Sequence, residues 1–215
     1  MKSLDELLNM DEDEKVKYLY SEAKKMNKRL DPEYEEIIKL NPEYIFHYAA
    51  NIIKGRWLEA EPYIMKNIEW TYYYIEEFIK GRWKEAEEFI MRDPYWAYHY
   101  VNEFIGERWE EAEEFIVKDP NASTWYARDI IKRRWKEAEE FILKDPYASV
   151  WYAKNVIKGR WLEAEEIISK SAQASVWYVE YIIKGRWFKG EPAIFKSEYY
   201  TKQYLKLIRS YKSQL

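Results

Sequence analysis

The chain has 215 residues, with 35 Lys and Arg against 39 Asp and Glu and a formal charge of −4. Lacking cysteine, it forms no disulfide framework and no thiolate metal site, and its near-balanced charge argues against a duplex-wide basic surface and against massed acids imitating DNA. The unusual figure is an aromatic content of 19%, with 11 Trp and 21 Tyr, while six Gly and seven Pro are too few for low-complexity disorder.

In chain order, the opening MKSLDELLNM carries acids where a secretory leader has a basic patch and an apolar run, so no leader is expected there. No apolar run approaches the length of a membrane span, and the lack of cysteine suits a reducing cytoplasm, the expected location. Residues 1–40 are expected to form a helical cap and a degenerate first repeat, with DPEYEEIIKL standing where WLEAEPYIMK stands later. Beyond them the sequence is periodic. Trp57, Trp83, Trp109, Trp135, Trp161 and Trp187 are spaced by 26, and the word IKGRWLEAE at 53–61 returns unchanged at 157–165. Six full repeats span 41–196, starting at Asn41, Asn67, Asp93, Asp119, Asp145 and Ser171. Residues 197–215 make a half-repeat, read as an amphipathic helix capping the last core face.

Each repeat reads as two short helices. The first opens on Asp, Asn or Ser, often followed by Pro as at Asp93-Pro94, Asp119-Pro120 and Asp145-Pro146, a pairing that satisfies a free amide and starts the helix without loss. Its end is expected at Gly55, Gly81, Gly159 and Gly185, where glycine suits a left-handed residue. One repeat has Gly106 a residue early, and another has Arg133 and no glycine. The second helix starts near the Trp, with a loose first turn where Pro62 or Pro192 intervenes. Apolar residues at positions 5, 8, 9, 12 and 13 form a helical stripe; in the fifth repeat these are Ser149, Tyr152, Ala153, Val156 and Ile157, with serine the exception. The second stripe is Trp161, Ala164 and Ile168. One such pair cannot bury its apolar face alone, whereas stacked pairs share a core. The predicted fold is all-α, a solenoid of about seven short antiparallel helix pairs forming one continuous domain.

Six residues are invariant through the full repeats: Tyr, Ile, Arg, Trp, Glu and Ile. The Trp and both Ile are assigned to the core. On the wheel of the second helix, Arg160 and Glu165 lie about 70° to either side of the stripe. That placement predicts ion pairs between repeats, either Glu61–Arg82 and onward or Arg56–Glu87 and onward. Catalysis by the paired carboxylates of EAE is not expected, because the motif comes six times over and a catalytic pair needs one special copy. No enzymatic activity is predicted.

Function is sought where repeats differ. Position 7 reads His47, Tyr73, His99, Trp125, Trp151, Trp177 and lies about 170° from the apolar stripe. Positions 3, 10 and 14 share that face, which places Trp125 with Arg128 and Lys132, Trp151 with Lys154 and Lys158, and Trp177 with Glu180 and Lys184. Exposed aromatic rings in series point to a partner. Position 4 shows the converse trend, with Tyr44, Trp70 and Trp96 giving way to Ala122, Ala148 and Ala174. One large ring per repeat filling the same gap from either position would explain this as packing. If the rings are exposed, a protein partner fits best, since Trp and Arg anchor interfaces. A nucleotide or single-stranded nucleic acid held in an aromatic–cationic groove is the alternative, and a purely structural scaffold is another. No metal site or cofactor is expected: His47 and His99 lie two repeats apart, roughly 20 Å at ordinary helix spacing.

The unit DP-x-x-A-x-x-YA-x-x-VIKGRW-x-EAE-x-I, best seen in DPYASVWYAKNVIKGRWLEAEEII, resembles tandem helical repeats in proteins of tailed phages and giant viruses. The match covers about 41–196 and departs at Asn67-Ile68, Ser171-Ala172 and Gly190. The resemblance implies a viral protein acting in the cytoplasm of an infected cell and engaging a host factor, such as a defence component. It names no catalytic residue.

Overall fold

The computed structural model describes residues 1–212 and is all-helical, with no strand among the described residues. Its contacts divide it into two compact units, Met1–Ile90 and Met91–Leu215. The first holds the N-terminal helices Leu4–Leu8, Glu12–Met26 and Pro32–Ile38 and repeats 1 and 2. The second holds repeats 3 to 6 and the helix Glu198–Lys212, which realises the expected C-terminal cap. Residues 213–215 of that expectation lie outside the described residues.

Every repeat begins at its predicted cap. Asn41, Asn67, Asp93, Asp119, Asp145 and Ser171 each accept an amide of the first helical turn, including the two repeats that depart from the Asp-Pro pattern. A seven-residue α-helix follows, Pro146–Tyr152 in the fifth repeat, and then a five-residue π turn, Ala153–Ile157. The wide turn closes on a left-handed residue whose amide donates to the carbonyl five residues back, as in Lys132 to Ala127 at 2.8 Å and Lys184 to Val179 at 2.8 Å.

That left-handed residue corrects the sequence reading. It is Lys54, Lys80, Lys132, Lys158 or Lys184, at φ between 51 and 60°, and not the glycine that follows. Gly106, which looked misplaced, is the one glycine that occupies the left-handed position, at φ 73°. Positions 12 and 13 fall within this π turn and not on the stripe's α-helix. Val156 and Ile157 are only half-buried, while Ala148, Ser149, Val150, Tyr152 and Ala153 are buried. Of the two invariant isoleucines, then, only the second is core: Ile64, Ile90, Ile116, Ile142, Ile168 and Ile194 are all at 0% exposure.

Ser149 is no exception to its stripe. Its hydroxyl donates to the Ile142 carbonyl of the preceding repeat at 3.0 Å, as Thr71, Ser123, Ser175 and Thr201 do to Ile64, Ile116, Ile168 and Ile194. Each of these adds a second donor to a carbonyl at the end of the second helix that also accepts the amide three residues on, as Ile142 does from Asp145 at 3.1 Å. The second helices run Lys84–Ile90, Glu110–Ile116 and Lys136–Ile142 in repeats 2 to 4. In repeats 1 and 6, which carry Pro62 and Pro192, the regular α-helix starts later, at Glu61 and Glu191. Repeat 5 starts late as well, at Glu165 and without proline; it shares with those two an exposed apolar residue just after the Trp, namely Leu162 beside Leu58 and Phe188.

The predicted ion-pair ladder between repeats is not what forms. Arg56 pairs with Glu61 of its own repeat through two bonds of 2.8 and 2.9 Å, and the same pairing joins Arg82–Glu87, Arg108–Glu113, Arg134–Glu139, Arg160–Glu165 and Arg186–Glu191. The reason is local. The second helix begins after the Trp, so the Arg sits in the extended link before it and is not bound by the wheel of that helix. It folds back over a carboxylate buried beneath it; the side chains of Arg134 and Glu139 are 42% and 15% exposed.

The bond between repeats is made by the invariant Tyr. Tyr152 donates its hydroxyl to Glu139 of the preceding repeat at 3.1 Å and accepts the backbone amide of Trp135 at 2.7 Å. Its ring packs on Trp161 of its own repeat, centroids 5.0 Å apart. Tyr74, Tyr126 and Tyr178 repeat this wiring, and Tyr204 of the terminal helix completes it for Glu191 and Trp187. At the other end Tyr48 reaches Glu35 and the Leu30 amide, with Arg29 on Glu35. Leu30 therefore does in the degenerate repeat what Trp57 does in the next, although a strict 26-residue alignment sets Asp31 opposite that Trp. The degenerate repeat carries one extra residue between its Arg and Glu. Burial, opposed by the donated amide, pushes the hydroxyls of Tyr178 and Tyr204 up to about 12 and raises those of Tyr48, Tyr74, Tyr126 and Tyr152 in the same direction. The Arg186 guanidinium holds the Glu191 carboxyl below its usual range.

Candidate functional site

With the invariant residues committed to the core and its bonds, the variable face carries what remains. Position 7 lies on the outer side of the seven-residue helix, as its place opposite the stripe requires. The π turn comes after it, so the plain helical wheel holds for this position. Its side chains are neither free nor buried: Trp125, Trp151 and Trp177 are half-buried, as are His47 and His99, and Tyr73 is 37% exposed.

In the second unit the rings form two clusters. Trp177 lies 6.1 Å from Trp151 and 5.6 Å from Tyr147, and Trp151 lies 5.6 Å from Tyr181. The Lys154 ammonium sits over both Trp151 and Tyr181, at 4.6 and 3.6 Å from the ring centroids. This joins the predicted Trp151–Lys154 pair into one aromatic–cationic group. Trp125 packs against Tyr98 at 5.4 Å and against Tyr95 and His99 at 6.3 Å. Burial lowers the pKa of His99 from its ordinary value, which keeps its imidazole neutral near pH 7.

In the first unit the ring comes from position 4. Trp70 packs against His47 at 5.6 Å, Phe46 at 5.5 Å and Tyr73 at 5.6 Å, and Tyr20 lies 5.5 Å from Tyr44. A large ring thus meets position 7 of the preceding repeat in both units, supplied by position 4 in one and by position 7 in the other. Volume exchange and partial exposure hold together.

The cations divide. Arg128 is held by the neighbouring Asp129 through bonds of 2.7 and 2.6 Å, and Asp129 also accepts the Tyr98 hydroxyl at 2.6 Å. The guanidinium keeps the Asp129 carboxyl below its usual range. Lys132 and Lys158 are exposed at the left-handed ends of their turns. His47 lies 3.9 Å from Glu43, on an exposed edge.

Tyr95, Tyr98, Tyr147, Tyr181 and Asp129 belong to this face but were not singled out from the sequence. Tyr95 and Tyr147 occupy position 3, already placed on the outer face, and their aromatic identity was the available signal. Tyr181 and Asp129 are at position 11, four residues after position 7 and so on the same side of a helical wheel; the i, i+4 spacing was the available signal. Among the described residues no group of three or more acidic or histidine side chains is arranged to hold a metal ion, and no helix is long and apolar enough to cross a membrane. Compared with protein-family models, curated proteins and solved structures, the chain matches none.

Proposed function

We propose that this chain is a non-catalytic recognition protein whose repeats present the position-7 face to a protein partner. The observation that supports this most directly is the half-exposed cluster of Trp151, Trp177, Tyr147 and Tyr181 under the Lys154 ammonium. Large rings held by neighbouring rings lose little freedom on binding, and Trp, Tyr and Arg are the side chains that anchor interfaces. Trp125 with Tyr95 and Tyr98 extends the surface within the second unit, and His47 and Tyr73 with Trp70 form the matching patch of the first. The resemblance to phage and giant-virus repeats supports reading the partner as a host factor, such as a defence component, met in the cytoplasm of an infected cell.

The test compares the wild-type chain with a Trp151→Ala, Trp177→Ala double variant as bait in host lysate treated with nuclease, with melting curves of both. The expected result is one host protein retained by the wild type, cross-linked to peptides of this face, and lost from a variant that still folds. Retention unchanged by the variant, or binding that nuclease abolishes, would count against the proposal.

A further inference from the structure

The fourth repeat departs where four others keep glycine: KGRW becomes Lys132-Arg133-Arg134-Trp135. The structure offers no packing reason for Arg133. At the equivalent Gly55, Gly81 and Gly159 an added Cβ meets nothing within 4 Å, and none of these residues has positive φ. The slot therefore accepts any side chain without strain, and a side chain placed there points into open space. An arginine at a position without structural demand adds charge and little else.

That charge has company. A cleft of about 550 Å³ is lined by Arg128, Lys132, Arg133, Arg134, Asn155 and Lys158, and no acidic side chain is among its lining residues. Arg133 and Arg134 also line an adjoining cleft of about 260 Å³ with Arg108 and Lys136, where Glu137 is present. Arg128 and Arg134 are matched by Asp129 and Glu139, which leaves Lys132, Arg133 and Lys158 with no carboxylate within ion-pair distance among the described residues. Position 14 is lysine in five repeats, but cations at positions 10 and 15 occur only in repeats 4 and 5. Positions 10, 14 and 15 read Asn102, Gly106, Glu107 in repeat 3, then Arg128, Lys132, Arg133 and Lys154, Lys158, Gly159, and then Glu180, Lys184, Gly185 in repeat 6.

We infer that the cleft between the turn ends of repeats 4 and 5 binds a small polyphosphate anion of nucleotide size, with Lys132, Arg133 and Lys158 as its ligands. Its volume falls in the range of small-molecule sites, roughly 300–1,000 Å³. Arginine forks and lysine ammonium groups match phosphate oxygens, and a cleft lined by one sign of charge concentrates the opposite sign. A protein tracking a long nucleic-acid strand would carry cations along successive repeats, whereas here Glu107 and Glu180 flank the patch. The inference stands apart from the protein-binding reading, because none of the position-7 rings is used.

The test is equilibrium binding of sodium tripolyphosphate, ATP and a single-stranded 12-nucleotide DNA, each alone, to the whole chain. One equivalent of ATP or tripolyphosphate is expected to bind, more weakly as salt rises. Arg133→Gly, which restores the residue of four other repeats, should weaken binding about tenfold with an unchanged melting temperature, the order of one lost charge-assisted contact. Adding Lys158→Glu should abolish it. Equal affinity for both anions assigns recognition to the phosphates; tighter ATP binding adds the nucleoside. Failure of both to saturate at millimolar concentration, indifference to Arg133→Gly, or tighter binding of the DNA than of ATP would overturn the inference.

Discussion

Repeats 1 and 2 and repeats 4 to 6 use the same internal wiring beneath different surfaces. In both sets an Arg clasps a buried Glu of its own repeat. In the early set Tyr74 joins Glu61 to the Trp57 amide, and in the late set Tyr152, Tyr178 and Tyr204 do the same for Glu139, Glu165 and Glu191. Above this wiring the large ring moves, from Trp70 at position 4 in the early set to Trp125, Trp151 and Trp177 at position 7 in the late one, with alanine taking the vacated place. The difference teaches that the invariant letters specify how one repeat attaches to the next, while ring volume on the outer face is kept and ring position is free to vary. Repeats 4 and 5 also carry cations at position 10, and repeat 4 at position 15, where repeats 1 and 2 have Ala50, Glu76, Gly55 and Gly81.

The comparison breaks first if the shared wiring is not what stabilises the fold. Trp161→Ala should cost about 3–5 kcal/mol, the usual loss for a large buried aromatic, and Trp57→Ala the same in the first unit. Chemical denaturation measures both, and a loss below about 1 kcal/mol at either would contradict a common core. Tyr152→Phe comes next. It leaves the Trp135 amide buried without its acceptor and removes a donor from Glu139, for about 1–3 kcal/mol.

The same hydroxyls predict a pH dependence. Their folded pKa values lie above the ordinary tyrosine value of 10.0, so their contribution is complete below pH 10 and falls as pH rises toward the folded values, about 12 for Tyr178 and Tyr204. Melting temperature should drop steeply above pH 10, and less steeply in Tyr152→Phe. A flat profile to pH 11.5 would deny the tyrosines their role.

The smallest effect addresses the moving ring. Ala148→Trp alone overpacks a buried position, at about 1–3 kcal/mol. Combined with Trp151→Ala it moves the large ring from position 7 to position 4, and the cycle should show a favourable coupling of about 1 kcal/mol. Zero coupling would separate the two positions and end the volume-exchange account.

Much of this was legible in the sequence because it depends on local rules. A spacing of 26 with caps at Asn41, Asp119 and Ser171 dictates helix pairs, and the stripe through Trp161, Ala164 and Ile168 dictates what they bury. The position-7 rings were placed correctly on the outer face for the same reason. The errors cluster at the link between the two helices, residues 13 to 17 of each repeat. Helical periodicity was extended through it, although the chain there widens into a π turn, reverses at a left-handed lysine and runs extended to the Trp.

The sequence by itself thus determined the fold class, the starts of the repeats and most of the core, because each follows from the periodicity of a single helix. Only the tertiary structure decided that Arg56 answers Glu61 and not Glu87, that Lys and not Gly takes the strained angle, and that Tyr152 joins one repeat to another. Those choices depend on where a short non-helical link aims its side chains in three dimensions, and no one-dimensional period encodes that direction.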